Sequence, residues 1–132
     1  MTDALGKALL RLTIGGLMLM HGVHKLLDGI QPIKHMIASH GLPELLAYGV
    51  YLGEILGPLL VIAGLFSRLG GLLIVGDMIV AVLLSHMGEV LTIGQTGGYA
   101  LELQATYLMG GLIIALIGAG SFSLGGSKGR WN

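Results

Sequence analysis

Six ionisable side chains interrupt an otherwise apolar chain in places where they could act together: His21, His24, Lys25, Glu54, His86 and Glu102. His21 and Lys25 are four residues apart and His24 is three from His21, so on a helix all three share one face. Glu54 would share a face with Tyr51 and Pro58. Because proline has no N–H, Pro58 leaves the Glu54 carbonyl without its usual helical partner. A carboxylate and a freed carbonyl therefore coincide at one level. Lys25 or a histidine can donate to an oxygen-rich head group, and Glu54 or Glu102 can exchange the accompanying proton. These residue types suit acid–base chemistry with Glu54, Lys25 and Glu102 at its centre, and ligand contact through His21, His24, Tyr51 and His86. His86 returns to the face of Arg68 at about 100° per residue, whereas Asp77, nine residues earlier, points the opposite way. These two share a pocket only if the helix is distorted. The bland readings are a structural ion pair of Lys25 with Glu54 or Glu102, hydrogen-bonded interfacial histidines, and Asp77 as a buried helix contact. His21-x-x-His24 with His86 is too loose a spacing to predict a bound metal or haem. His35 and His40 are expected to be solvated.

The chain that carries these groups has 132 residues, 54% of them hydrophobic and 11% charged, with a mean hydropathy of +0.87. Soluble domains carry roughly 25% charged residues, and a domain of this size leaves much of its surface exposed. A soluble globule and a disordered chain are both excluded on these grounds. Seven basic and seven acidic residues leave no cationic excess for nucleic acid. The absence of cysteine removes disulfides, thiolate-bound zinc, iron–sulfur clusters and dithiol chemistry.

A helix needs about 20 mostly apolar residues to cross a bilayer. Four stretches qualify, over residues 4–27, 45–66, 69–87 and 99–118. The fold class expected is all-α: one integral membrane domain over 1–132, a bundle of four transmembrane helices with antiparallel neighbours. Lys7 and Arg11 precede the first apolar run as in a signal peptide, but no small-residue cleavage site follows, so a retained helix is expected. Only Ser67–Arg68 separates the second and third spans. Pro32 and Gly41 bracket Ile33, Met36 and Ile37 at helical spacing, which predicts a short interfacial helix in the first outer loop. Gly94, Gly97 and Gly98 predict a turn before the last span. Lys7, Arg11, Arg68, Lys128 and Arg130 fall on one side and Lys25 and Lys34 on the other, so the positive-inside rule places both termini in the cytoplasm. By depth, Glu54 lies near mid-membrane and the other five groups near the outer face. Gly49, Gly53, Gly57 and Gly64 on span two, and Gly111, Ala115 and Ala119 on span four, form small-residue stripes that let backbones approach. They serve either the intrachain bundle or a homo-oligomer.

Taken together, the pattern resembles the DoxX family of small four-helix membrane proteins. The matching residues are His21-Gly22 with Lys25-Leu26, Gly41-Leu42-Pro43, Glu54, Gly64 with Arg68, Ala81 with His86, Glu102, Gly118-x-Gly120 and Ser123-Leu124. The resemblance runs over nearly the whole chain, and it departs at Gly125, where the family often has an acidic residue. It implies a multi-pass protein of the bacterial inner membrane, in some members a small subunit of a thiosulfate:quinone oxidoreductase. On that footing the expected ligand is a quinone, the expected partners are lipid and a soluble or membrane redox protein, and the chain is not expected to catalyse alone. Two alternatives stand beside this: a small-molecule or proton-coupled carrier, and a non-catalytic membrane anchor or scaffold.

Overall fold

A computed structural model describes residues 1–132. The protein is all-α, with five α-helices and no strand beyond one isolated bridge between Ile93 and Tyr99. Helix α1, Thr2–Asp28, is unbroken and ends where Gly29, at φ +85°, donates its N–H to the Lys25 carbonyl. The short helix predicted from Pro32 and Gly41 is present as α2, Gln31–Ser39, and Gly41 reverses the chain at φ +76°. It buries Ile37 against Ile30 and Ala47.

A second rod, Glu44–Ala63, is continuous but irregular. A 3-10 turn over Glu44–Gly49 opens it, a π-turn occupies Leu52–Leu56, and α3, Gly57–Ala63, completes it. Pro58 explains the π-turn. With no proline N–H to take up the Glu54 carbonyl, the ladder slips and the Gly57 N–H reaches back to Leu52. Gly64 at φ +71° ends the rod, and the reversal occupies Gly64–Phe66, because Ser67 already belongs to the next helix. The third rod, Ser67–Glu89, comprises α4, Ser67–Ala81, a second π-turn over Val82–His86 and a 3-10 turn over Met87–Glu89. Last comes α5, Glu102–Ile117. It starts three residues later than the expected 99, since Tyr99 is held in the bridge and donates its hydroxyl to the Val90 carbonyl at 2.5 Å.

The sequence suggested four apolar spans of crossing length. Two rods, Glu44–Ala63 and Ser67–Glu89, meet both length and hydropathy, and α5 is apolar but has 16 residues. Lys7, Arg11, His21, His24 and Lys25 dilute the apolar character of α1.

Glycines set the packing. A methyl group at Gly22 would run into the Glu54 carbonyl oxygen, one at Gly53 into the Asp77 side chain, and one at Gly71 into the Gly111 carbonyl. Gly57 and Gly70 face each other's carbonyls across the second and third rods. Of the stripes read from the sequence, Gly53, Gly57, Gly64 and Gly111 thus serve contacts within the chain, whereas Gly49 has nothing within 4 Å. Consecutive rods run antiparallel, as the paired contacts Gly15–Ile62 with Gly22–Glu54, Gly53–Asp77 with Gly57–Gly70, and Arg68–Ala115 with His86–Gln104 require. Ile14, Met18, Val61, Ile74, Met78, Tyr107 and Ile114 form the common core. Only 29 of 132 residues are buried, and the exterior is rich in leucine, including Leu9, Leu12, Leu59, Leu69, Leu83 and Leu116.

Arg11 is 2% exposed and acts as a clasp. Its guanidinium donates to the carbonyls of Val61, Ile62, Ala119 and Phe122, joining α1, the end of α3 and the tail that follows α5. Carbonyls at helix ends lack intrahelical partners, so a cation is well placed there. Gly125, where the family often has an acidic residue, lies against the Asn132 side chain, which leaves no room for a side chain.

Gly71→Ala is expected to lower stability in detergent by about 1–3 kcal/mol through overpacking against α5. Gly76→Ala, where nothing lies within 4 Å, should leave it unchanged or slightly raised. Thermal unfolding of the two variants side by side checks this.

Candidate functional site

Glu54 is carried on the π-turn of the second rod and is 4% exposed. Lys25, in the last turn of α1, places its Nζ 2.5 Å from Glu54 Oε1. The same turn is pinned by the Tyr51 hydroxyl, which donates to the Lys25 carbonyl at 3.3 Å. Gly22 makes this pairing possible, because its missing side chain lets α1 rest on the Glu54 backbone. Glu54 Oε2 has no hydrogen-bond partner. Across the second rod, Asp77 from α4 fits against Gly53, and its Oδ2 is also buried and unpartnered. Two carboxylates and one ammonium thus meet with two acceptor oxygens unsatisfied. Buried acceptors of this kind call for a donor: a proton, a water or a ligand's polar head.

These groups stand at the polar end of a cavity of about 870 Å³. His21, His86, Gln104 and Tyr107 complete that end. His21 sets its ring edge-on to Tyr107, with centroids 5.6 Å apart, and its Nδ1 lies 3.1 Å from the Leu17 carbonyl. His86 lies 3.5 Å from Gln104 Nε2 through Nε2, while Glu89 Oε2 is 3.5 Å from Nδ1, an ion-pair distance only if the ring is protonated. Met18, Ile33, Met36, Ile37 and Leu84 make the apolar walls. The cavity is partly open, and Leu52, Leu72, Val80, Leu83 and Leu103 among its lining are about half exposed.

Helix α2 roofs this space. Ser85 donates to Met36 Sδ at 2.9 Å, and Lys34 holds its ammonium 4.8 Å from the centre of the Tyr48 ring. Interaction with the Tyr48 hydroxyl, helped by the Glu44 carboxylate, raises the Lys34 pKa above its ordinary value. The roof is thereby latched to the start of the second rod.

Of the residues singled out from the sequence, Lys25, Glu54, His21 and His86 line this cavity. Tyr51 stands behind the wall, holding the Lys25 backbone. His24 does not join them: it faces outward and pairs with Asp28 at 3.1 Å, because its position on α1 is turned away from Glu54. Glu102 is exposed at the start of α5, with its carboxylate beside Gly98 rather than Lys25. Asp77 is the group that helical phase missed. The π-turn over Val82–His86 takes in an extra residue, which retards the winding by about 100° and lets Asp77 and His86 line one space. Only the condition of a distorted helix pointed there.

A family model described as DoxX matches residues 6–87. That stretch contains most of α1, all of α2 and the second rod and most of the third, with His21, Lys25, Glu54, Asp77 and His86 inside it, while Glu102 and the tail lie beyond. No curated protein and no solved structure matches the chain.

Lys25→Met is expected to destabilise the protein by about 3–5 kcal/mol, since it strands a buried carboxylate. Adding Glu54→Gln should recover most of that loss. Unfolding of the single and double variants in detergent measures both.

Proposed function

The chain belongs to the DoxX family, and from that premise we propose that it is a membrane-embedded small subunit of a quinone-linked oxidoreductase. On this reading α1, the second and third rods and α5 cross the bilayer, α2 lies at the outer interface and both termini face the cytoplasm. The observation that carries the proposal is Glu54: a 4%-exposed carboxylate with one unpartnered oxygen, lining a partly open cavity whose wall includes half-exposed leucines. Such a shape suits an amphiphile that enters from lipid with its tail against leucines and its head among polar groups.

The residues fit a quinone head and apolar tail. Lys25, His86 and Gln104 offer N–H donors to carbonyl oxygens, and Glu54 and Asp77 offer acceptors to a hydroxyl. A quinone, when bound, supplies two-electron, two-proton redox chemistry. Glu54 is placed to take up or return a proton, because Oε2 has no hydrogen-bond donor in the protein while Lys25 fixes Oε1. Lys25 positions the carboxylate, and Tyr51 positions Lys25. The apolar walls keep bulk water from the exchange. Electrons reach the site from a partner protein on this reading, since no cysteine is available to hold an iron–sulfur cluster.

A carrier reading rests on a separate observation, the two π-turns that interrupt the second and third rods beside the polar end. Interrupted helices at a central polar site are a transporter feature.

The chain reconstituted in nanodiscs is expected to bind decylubiquinone, and Glu54→Gln should weaken that binding roughly ten-fold by removing a charged hydrogen-bond partner. Quinone-dependent activity of the assembled complex should be abolished in the same variant while the protein stays folded in detergent. Equal affinity in wild type and Glu54→Gln, by titration calorimetry, would overturn the reading. Proton-driven solute flux in liposomes, lost on the same substitution, would support the carrier instead.

A further inference from the structure

Five basic residues lie at the end of the molecule away from the Lys25–Glu54 pair. Lys7, Arg11, Arg68, Lys128 and Arg130 are the basic side chains of that end, and Asp3 is its one acidic side chain. Asp3 is already paired with Lys7 at 3.0 Å. Arg11 is consumed by four carbonyls. Arg68 and Arg130 are left without a carboxylate.

These two arginines flank a hollow of about 260 Å³ between α4 and α5, floored by Leu72, Leu112 and Leu116 and edged by Trp131. Arg68 is rigid. Its Nη1 donates to the carbonyls of Ala115 at 2.8 Å and Leu116 at 2.6 Å, and its backbone N–H donates to the Trp131 carbonyl. Its Nε has no partner. Arg130 makes no ion pair and is exposed. The hollow therefore has a fixed guanidinium, a free guanidinium, an indole at its edge and leucines running from it along two helices.

We propose that this hollow binds an anionic phospholipid, with the phosphate between Arg68 and Arg130, Trp131 at the level of the glycerol backbone and an acyl chain along Leu72, Leu112 and Leu116. Charge complementarity selects the occupant. Unpaired arginines match a phosphate, and the leucines that continue below them match hydrocarbon, which a soluble anion lacks and an acidic protein surface does not present. A basic cleft between helices at the cytoplasmic side is a general setting for such headgroups. The proposal rests on the membrane part of the preceding reading; Leu72 borders both spaces, whereas Arg68, Arg130 and Trp131, which hold the headgroup, line only the smaller one.

Trp131 is the sole tryptophan, so its fluorescence reports this hollow directly. The intact chain is placed in bilayers of phosphatidylcholine with dibrominated phosphatidylglycerol, and in bilayers with dibrominated phosphatidylcholine instead. Quenching should show roughly ten-fold preferential association with the anionic lipid, unchanged by millimolar inorganic phosphate. Arg130→Gln, at an exposed residue with no bonding partner, should lower that preference about five-fold, the effect of one basic residue at an anionic surface, with unchanged thermal unfolding. Equal quenching by both lipids, with the membrane reading intact, would overturn the site. Displacement by inorganic phosphate would overturn the lipid in favour of a free anion. Absence of quenching by either lipid would overturn both the lipid and the membrane placement of this end, and would leave an acidic protein surface as the partner.

Discussion

The ion pair between Lys25 and Glu54 governs much of this structure. A carboxylate that is 4% exposed, in a chain whose outside is rich in leucine, cannot rely on water for its charge. It has to find a cation supplied by its own fold. Lys25 can reach it only if α1 lies close along the second rod, and that closeness depends on Gly22 resting against the Glu54 carbonyl. Removing the side chain at one residue thus lets the charges meet at another. Tyr51 then fixes the turn from which Lys25 extends.

The two irregular turns have the same economy. Pro58 denies the Glu54 carbonyl its helical donor, and the resulting π-turn presents Glu54 itself. Opposite it, the π-turn over Val82–His86 swings His86 onto the side that Asp77 occupies. Regular helices with the same sequences would set these groups on different faces. The cavity's polar end is therefore a product of departures from helical periodicity, flanked by glycine contacts that leave little freedom for the rods to separate. Such departures are frequent at functional sites.

Much of this was legible from residue types. Pro32 and Gly41 marked α2, because proline and a left-handed glycine act locally. Glu54 declared itself as a lone carboxylate in an apolar run with Pro58 one turn on. What spacing could not convey was non-local. Asp77 looked like a group on the wrong face, since periodicity assumes an unbroken helix. Glu102 looked like a partner for Lys25 by depth, yet the bridge between Ile93 and Tyr99 holds the start of α5 in a separate turn. His24 shared a face with His21 by arithmetic, but the arc it occupies looks outward to Asp28. Arg11 counted as a marker of sidedness, and its grip on four carbonyls required knowing where the tail returns.

The two ends divide the labour. One holds a partly open pocket with polar groups among apolar walls, the other a cluster of basic residues with a single acidic side chain. The claim on which the pocket rests is that Lys25 and Glu54 are joined inside an apolar medium. Solid-state NMR on the chain in bilayers, with lysine labelled by nitrogen-15 at Nζ and glutamate by carbon-13 at the carboxyl, measures that contact directly. One lysine ammonium should be strongly dephased by a glutamate carboxyl, and the effect should vanish in Glu54→Gln. Equal, weak dephasing of every lysine in the unmodified chain would contradict the account.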